Sequence, residues 1–305
     1  MILAKKKILI ISQYFWPNNF RINDILSNLS DNKYEITIIC ANTNYIKKNK
    51  FPKFQLKKKK FQKKNFNILS VPVLHRKSSS FFSIILHYFS FIFSGIYYGN
   101  KNLNNKKFDK IFIYGTSPIL QAFVGLYFKK KFKAPIVLWV QDLWPESIYF
   151  TGYIKNNFFL NLIKYFVGII YNNSNIILAQ SKGFIKLIKN NCSHNNIYYL
   201  PNPVNKIYTT KTRYKLKKGF NVVYTGNFGV AQNVENIIKS ANKLKRYDNI
   251  NFYFFGDTSK GKYLIELKKK LNLSNCFFPG YINNQEYFSI LKQSSLLIFG
   301  LKKNI

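Results

Sequence analysis

Three short polar segments follow predicted strands and carry residue types that could do chemistry. The first is Gly226-Asn227-Phe228-Gly229, which lies between a predicted strand and a predicted helix. Glycines there let a phosphate approach the backbone, and the helix N-terminus offers unpaired N–H groups and the positive end of a dipole. Gln232 and Asn233, just beyond, could add hydrogen bonds to a diphosphate. The alternatives are a plain tight turn at the glycines and helix capping by Asn233.

The second segment is Trp139–Ser147, in which a predicted strand ends in Gln141 and Asp142. Active sites of parallel sheets lie at this carboxyl edge. Asp142 and Glu146 are the catalytic candidates, because a carboxylate at this edge could orient a substrate hydroxyl or accept a proton. The alternative is that Asp142 caps the next helical turn, with Pro145 in its first positions.

The third segment is Gln13–Arg21, which again follows a strand and opens a helix. Tyr14 and Trp16 could stack on the face of a substrate ring, and Arg21 could clamp a phosphate. The alternative is that these side chains only pack a wide loop.

Several other chemistries lack their sequence signals. The chain contains no Asp-x-Asp pair and no GxxxxGK[ST] loop, which argues against a carboxylate-held Mg²⁺ and against an ATPase. His75, His87 and His194 are far apart and have neither metal-ligand spacing nor a partnered Ser or Cys nucleophile, so we interpret them as bystanders. We expect no metal and no cofactor.

Short apolar runs alternate with longer amphipathic runs, which predicts an α/β protein with parallel sheets covered by helices. A first Rossmann-like domain is predicted at residues 1–205. Its strands are Lys7–Ser12, Tyr34–Cys40, Phe66–Val73, Lys110–Tyr114, Ile136–Gln141, Asn175–Ala179 and Ile197–Leu200. Its helices are Phe20–Leu29, Ile119–Phe132 and Lys182–Asn190. The lysine-rich interval Lys47–Asn65 has almost no apolar periodicity, and we predict a loop there.

A second Rossmann-like domain is predicted at residues 206–305, after a linker that begins at Pro201. Its strands are Phe220–Thr225, Asn251–Phe255, Cys276–Phe278 and Ser295–Phe299, and its helices are Asn233–Leu244, Tyr263–Leu271 and Gln285–Lys292. We expect a ligand cleft between the two domains. Because Leu296–Phe299 should be buried on both faces and no covering helix follows it, we expect this second domain to be incomplete.

The charge balance is strongly basic, with 48 Lys and Arg against 11 Asp and Glu. Such a field attracts nucleic acid, an anionic membrane or a phosphorylated substrate. Specific nucleic-acid recognition is disfavoured because arginine, which reads guanine by paired hydrogen bonds, stands only at positions 21, 76, 213 and 246. We attribute the charge partly to genome composition and partly to attraction to a membrane surface.

The segment Phe81–Tyr98 contains no charged residue and is crowded with Phe, Ile and Tyr. Its length would just allow it to span a membrane. Its serines, its histidine and its place within an α/β pattern favour a buried or interfacial helix instead.

The three cysteines have no paired spacing. Cys40 ends an apolar strand and Cys276 begins one, so we predict buried thiols and a reducing cytoplasm, with Cys192 unassigned.

Taken in order, these segments resemble family 4 glycosyltransferases of the GT-B fold, and more narrowly the branch that builds O-antigen, capsule and colanic-acid-type polysaccharides, including L-fucosamine transferases. The resemblance runs from Lys7 to Leu301. It is carried by ILIISQYFWPNNFRINDI, WVQDLWPES, LPNPV, YTGNFGVAQNVENII and FFGD.

This resemblance implies roles for particular residues. Gly226–Gly229 would lie against the donor diphosphate, with Gln232, Gly256 and Asp257 beside it. Phe278–Tyr281, which includes Gly280 and Tyr281, would border the nucleotide base. Asp142 would face the reacting sugar, and the segment containing Tyr14, Trp16 and Arg21 would meet the acceptor.

The chain also departs from the family pattern. Gln141 stands where many relatives have histidine, and Asn18 stands where an acid is typical. Asn227 and Gln232 replace the arginine and lysine that commonly grip the diphosphate. The Glu-x7-Glu segment that holds the donor sugar in the family would come after residue 305.

The function implied is retaining transfer of a sugar from a UDP-linked donor to a polyprenyl-diphosphate-linked acceptor, at the cytoplasmic face of the inner membrane. The first domain would meet that membrane through Lys47–Lys64 and Phe81–Tyr98. The competing interpretation is an inactive remnant that binds membrane or nucleic acid through charge alone. A nucleotide-sugar epimerase is weaker, because no glycine-rich loop follows the first strand.

Overall fold

A computed structural model of the chain describes residues 4–18, 20–29, 33–42, 55–61, 64–74, 81–150, 154, 156–203, 214–229, 232–258, 261–282 and 284–302. Residues 47–54 and 62–63 of the predicted loop Lys47–Asn65 lie outside the described ranges. The chain divides into two compact units, Met1–Val204 and Asn205–Ile305.

Unit 1 contains eight described strands and six described α-helices. The strands are β1 (Lys6–Ile11), β2 (Tyr34–Ala41), β3 (Gln55–Phe61), β4 (Lys64–Val71), β5 (Lys110–Gly115), β6 (Ile136–Val140), β7 (Ile176–Ala179) and β8 (Ile197–Tyr199). The helices are α1 (Arg21–Asn28), α2 (Phe81–Leu103), α3 (Ala122–Phe132), α4 (Glu146–Phe150), α5 (Asn157–Asn173) and α6 (Lys182–Lys189). A 3₁₀ turn, Ile119–Gln121, leads into α3.

The sheet of unit 1 has the order β3-β4-β2-β1-β5-β6-β7-β8. All neighbouring strands are parallel except β3, which pairs antiparallel with β4. Because parallel strands share a direction, the loops after β1, β5, β6 and β7 meet at one edge of the sheet. The apolar runs predicted this parallel core, whose strands are buried under helices on both faces.

The loop predicted at Lys47–Asn65 is wrong for Gln55–Phe61 and Lys64–Asn65, which form β3 and the start of β4. Lys57 to Lys60 pair with Ile68 to Asn65 through the backbone. Among the described strands, β3 is an edge strand that pairs only with β4. Main-chain hydrogen bonds hold such a strand, so it tolerates sequences without apolar alternation.

Two helices of unit 1 matter for the site described below. Helix α2 packs against the core through Phe91, Ile92 and Leu103, which confirms a helix at the segment Phe81–Tyr98. Helix α5, which the apolar pattern did not predict, buries Val167 and Ile170 in the same core. No helix within the described ranges is both long and apolar enough to cross a membrane.

Unit 2 contains a parallel sheet of the order β11-β10-β9-β12, formed by β9 (Phe220–Thr225), β10 (Ile250–Phe255), β11 (Cys276–Gly280) and β12 (Leu296–Leu297). Its helices are α7 (Val234–Lys243), α8 (Lys262–Lys270) and α9 (Asn284–Gln293). The alternation of strands and helices is as predicted. Burial of β12 on both faces is not observed, since Leu296 and Leu297 are half exposed at the edge of this sheet.

Candidate functional site

A polar cavity of about 390 Å³ opens at the carboxyl edge of the unit 1 sheet. It is built by residues that follow β1, β5, β6 and β7, because those strands end side by side. The lining consists of Tyr14, Phe20, Tyr114, Thr116, Ser117, Gln141, Asp142 and Gln180. The structure therefore brings together Tyr14 and Asp142, which the sequence placed in separate segments.

Asp142 is held by the backbone of the neighbouring strand loop. The N–H of Ser117 donates to Asp142 Oδ2 at 2.7 Å, across the β5 and β6 ends. The Ser117 hydroxyl in turn accepts from the indole Nε1 of Trp144 at 2.9 Å. Asp142 is half-buried. A hydrogen bond from a backbone N–H stabilises the ionised carboxylate, so the arrangement fixes a negative charge at the cavity wall.

Tyr114 lies beside this carboxylate. Burial raises the pKa of the Tyr114 hydroxyl, and the negative charge of Asp142 raises it further. The hydroxyl therefore stays protonated at any physiological pH. A protonated hydroxyl at the cavity wall can donate a hydrogen bond to a bound molecule.

Gln141 contributes a buried polar group without a partner among the described residues. Its side chain is 6% exposed, and its amide Nε2 has no hydrogen bond. Its backbone carbonyl accepts from Gln180 Nε2 at 2.7 Å. An unpaired buried donor is unfavourable, so we infer that a ligand in the cavity would accept a hydrogen bond from this amide. The sequence predicts Gln141 at the end of a strand and marks it as a departure from the family pattern, without assigning it a role in the site.

His87 of α2 positions the loop after β1. Its Nδ1 lies 2.6 Å from the carbonyl oxygen of Leu74, and its Nε2 lies 3.1 Å from Gln13 Nε2 and 3.4 Å from the Tyr14 hydroxyl. These contacts are satisfied if Nδ1 carries the proton and Nε2 accepts. His87 thus has a structural role that the sequence did not indicate, because its buried imidazole joins α2 to Tyr14 of the cavity lining.

The remaining unit 1 candidates do not line the cavity. Trp16 is 40% exposed, and the Arg21 guanidinium makes an ion pair with Asp24 at 3.3 Å. Glu146 begins α4 and is half-buried. It lines neither this cavity nor the adjoining groove described next. Of the sequence candidates in unit 1, Asp142 and Tyr14 are the ones that the structure brings into one cavity.

An apolar groove of about 490 Å³ adjoins the polar cavity. Ser117 and Asp142 line both. The groove runs between α2 and α5, with α4 at one side. Its other lining residues are Ile84, Ile85, Tyr88, Phe89, Leu120, Trp144, Ser147, Ile148, Ile154, Phe159, Leu162, Ile163 and Phe166.

In unit 2, three glycines stand at the carboxyl ends of adjacent strands: Gly226 after β9, Gly256 after β10 and Gly280 at the end of β11. The Gly226 N–H donates to the Phe255 carbonyl at 3.0 Å, and the Gly256 N–H donates to the Gly280 carbonyl at 3.0 Å. We call this row the glycine edge. It presents backbone without side chains along one side of the sheet.

Two of these positions require glycine, Gly256 because of close packing and Gly280 because of its backbone conformation. A Cβ on Gly256 would lie 2.3 Å from the carbonyl oxygen of Gly226 and 3.0 Å from the Phe228 ring. Gly280 has φ +97°, a conformation that L side chains rarely adopt. Both glycines are therefore needed for the backbone path, which a plain tight turn at Gly226 alone would not require.

The loop after Gly226 folds onto Phe228. The Phe228 ring is buried, stacks on Tyr224 at 6.0 Å between centroids and contacts the edge of Phe278 at 6.1 Å. The Tyr224 hydroxyl donates to the Asn227 carbonyl at 2.6 Å. The buried Phe228 side chain therefore anchors this loop to the core of unit 2 and does not face solvent.

The helix after this loop begins without a side-chain cap. Asn233 is the N-cap residue of α7, with φ +47°, and its side chain makes no capping hydrogen bond. Capping by Asn233 is thus not observed. Gln232 donates its backbone N–H to the Gly229 carbonyl at 3.2 Å, which closes the loop. Asp257 is half-buried beyond β10, and Tyr281 is 75% exposed beyond β11.

Within the described ranges, no group of three or more His, Cys, Asp or Glu side chains lies together as metal ligands would.

The part of the chain that contains the glycine edge matches a known family. Residues 209–303 match the family model described as Glycosyl transferases group 1. No curated protein sequence matches the chain.

Solved structures match both units. The Anabaena protein Alr3699/HepE, in complex with UDP and glucose, is 12% identical with a TM-score of 0.64, over 96% of this chain and 73% of that one. A structure described as trehalose-6-phosphate from E. coli bound with UDP-2-fluoro glucose is 10% identical with a TM-score of 0.65, over 95% of this chain and 77% of that one. The apo lipopolysaccharide outer core galactosyltransferase WaaB is 14% identical with a TM-score of 0.57, over 96% and 73%. At these identities the likeness shows the fold, and the predicted GT-B class of two α/β units is confirmed.

Proposed function

We propose that this chain transfers a sugar from a UDP-linked donor, held by unit 2, to an acceptor held by unit 1. Three findings support this proposal. Residues 209–303 match the group 1 glycosyltransferase family model. The similar structures of Anabaena HepE and the E. coli protein contain UDP or a UDP-sugar analogue. Unit 1 carries a polar cavity with a fixed carboxylate.

The glycine edge is the observation that carries the donor side of the proposal. The N–H groups of Gly226 and Gly256 already donate to carbonyl groups of the neighbouring strands. The donor diphosphate would therefore accept hydrogen bonds from the N–H groups of the following residues, Asn227 to Gly229. The start of α7 adds the positive end of a helix dipole. Gln232, Asp257 and the exposed Tyr281 border the same edge and would contact the sugar, ribose or base.

The acceptor side depends on Asp142. A carboxylate fixed by Ser117 N–H would orient the attacking hydroxyl, while the Gln141 amide would donate to a neighbouring oxygen of the acceptor. Departure of the diphosphate would leave an oxocarbenium-like sugar, as in other glycosyl chemistry. Backbone N–H groups aimed at the leaving phosphate would supply most of the stabilisation. We propose retention of configuration at the transferred carbon.

We further propose that the acceptor is a polyprenyl-diphosphate-linked sugar and that the product enters a surface polysaccharide. WaaB, whose fold is similar, is described as a lipopolysaccharide outer core galactosyltransferase. The net charge of +37 would hold the protein at the anionic cytoplasmic face of the inner membrane. An N-acetylated amino sugar is the donor that the sequence resemblance favours.

Calorimetric titration of the full chain with UDP and with ADP tests the donor side. We expect saturable binding of UDP and weaker binding of ADP. A panel of UDP-sugars with a lipid-diphosphate-linked sugar then tests transfer, and proton NMR of the product gives the anomeric configuration. Equal affinity for UDP, ADP and free phosphate would indicate binding through charge alone and would contradict the proposal.

A further inference from the structure

The exposed side of α2 is apolar where a helix facing water is polar. Every exposed residue between positions 83 and 100 is apolar or aromatic, namely Leu86, Phe89, Phe93 and Tyr97. These residues follow helical spacing and form one stripe along α2. Helices that face water carry polar residues on this side, and contiguous apolar surface marks an interaction site.

Helix α5, across the groove, also exposes apolar residues, although Asn157, Asn161 and Lys164 are exposed among them. Its exposed apolar residues are Phe158, Phe159, Leu162 and Tyr165, and Phe158 is 71% exposed. Phe89 from α2 and Phe159 and Leu162 from α5 also line the groove. The exposed stripes of α2 and α5 thus flank the apolar groove on its two sides, and we call them its banks.

The charged residues of helices α2, α3 and α5 are all lysines, whereas Asp142 and Glu146 lie at the polar end of the groove and on α4. Helices α2, α3 and α5 contain no Asp or Glu, whereas they carry Lys101, Lys129, Lys130, Lys131 and Lys164. Lys131 donates to Asn100 Oδ1 at 2.5 Å, so the basic end of α3 lies against the last turns of α2. An apolar surface with lysines on its flanking helices complements an anionic membrane, into which aromatic side chains insert while lysines reach the phosphates.

One end of the groove is polar and belongs to the candidate site. Asp142 and Ser117 line the groove and the polar cavity alike, and the Trp144 indole is fixed there by its bond to Ser117 Oγ. The Tyr88 ring lies 6.3 Å from the Trp144 ring, which joins α2 to the same wall. A ligand that fills both spaces must therefore have a polar head and a hydrocarbon chain.

We propose that the groove between α2 and α5 holds the hydrocarbon chain of the lipid acceptor while its sugar occupies the polar cavity. This inference rests on the proposed function, because it names where the acceptor of that reaction binds. The volume of about 490 Å³ is within the range of ligand sites and holds part of such a chain. The exposed banks would lie in the membrane interface, so the chain enters the groove without crossing water.

Photo-crosslinking tests the proposal. The full chain is mixed with phosphatidylcholine vesicles containing phosphatidylglycerol and geranylgeranyl diphosphate that carries a diazirine at its chain end. We expect labelled peptides from residues 81–103 and 157–173. Isopentenyl diphosphate with the same diazirine should label these peptides about tenfold less or weaker still, because most of the buried hydrocarbon is missing.

Leu162→Trp fills the groove, and Leu187→Trp adds the same bulk at an exposed position of α6 outside it. Labelling should fall at least about fivefold in Leu162→Trp and stay unchanged in Leu187→Trp. Circular dichroism and urea unfolding of both variants show whether unit 1 has folded, because UDP is assigned to unit 2. If Leu162→Trp does not fold, Ile148→Phe, which fills the groove from α4, replaces it.

Equal labelling by the long and short probes, or unchanged labelling in a folded groove-filling variant, would overturn the groove assignment and leave the proposed function intact. Sedimentation showing a lipid-free dimer that Phe93→Glu dissociates would also overturn it, because a second copy would then cover the banks. Chain-dependent labelling in a protein that binds no UDP would keep the lipid groove and overturn the proposed transferase instead.

Discussion

Ser117 donates its backbone N–H to Asp142 Oδ2 at 2.7 Å, and the same two residues form the boundary between the polar cavity and the apolar groove. The bond links the ends of β5 and β6. The sheet therefore fixes the position of the Asp142 carboxylate, because both residues follow closely after strand ends.

Asp142→Asn should lower the turnover number by roughly 100-fold or more while the protein stays folded, because the side chain keeps its shape and loses its charge. Transfer kinetics and circular dichroism measure the two effects. Asp109→Asn is the matched control, since Asp109 Oδ2 also accepts a backbone N–H, from Lys7 at 2.6 Å, and lies outside the cavity. Similar losses in both variants would contradict a catalytic role for Asp142.

Gln141→Met should raise the free energy of unfolding by about 1 kcal/mol, because the unpaired buried amide is replaced by an apolar chain of similar size. The same variant should raise the KM for the acceptor. Gln121→Met is the control: Gln121 accepts from Gln13 N at 2.7 Å and donates to Thr116 O at 3.2 Å, so its loss should destabilise. Destabilisation by Gln141→Met in urea unfolding would show that its amide already has a partner.

Gly256→Ala should lower the free energy of unfolding by about 2 kcal/mol and weaken UDP binding, since its methyl group would meet the Gly226 carbonyl oxygen at 2.3 Å. Gly168→Ala, in α5, has its nearest neighbour at 3.6 Å and should stabilise by about 0.5 kcal/mol. Denaturant titration and calorimetry give both quantities. Normal UDP affinity in Gly256→Ala would argue against the glycine edge as the donor site.

The three thiols should differ in reactivity. Burial raises the pKa of the Cys276 thiol to about 12, so at pH 8 it is protonated and shielded, and Cys40 is also buried. Cys192 is half-exposed. Iodoacetamide should therefore modify Cys192 first in the native protein and all three cysteines in urea, as read by mass spectrometry. Rapid native labelling of Cys276 would be inconsistent with the described packing of unit 2.

Much of the fold follows from the apolar runs, since a strand buried on both faces needs a continuous run and no distant information. Helix α5 was not predicted because Phe158, Phe159, Leu162 and Tyr165 fill its outer side, so the periodic contrast between faces is weak. Strand β3 was missed for the opposite reason, because its lysines carry no apolar alternation.

The site was predictable only in part. Asp142 and Tyr14 could be chosen because they follow strands, whose ends meet in any parallel sheet. His87 and Gln141 could not be chosen in the same way. His87 contacts the lining residue Tyr14 from within helix α2. The significance of Gln141 lies in the lack of a hydrogen-bond partner for its amide among the described residues, which is a property of the packed structure.

The four lysines of β3 have a consequence for the behaviour of the protein at high concentration. β3 stands first in the sheet order, so one side of its backbone offers hydrogen-bonding groups to any passing strand. β3 contains four consecutive lysines, Lys57 to Lys60, and charged residues in an edge strand disfavour its pairing with a second edge. We therefore expect this segment to protect the sheet against fibril-like self-association, a role that requires no ligand.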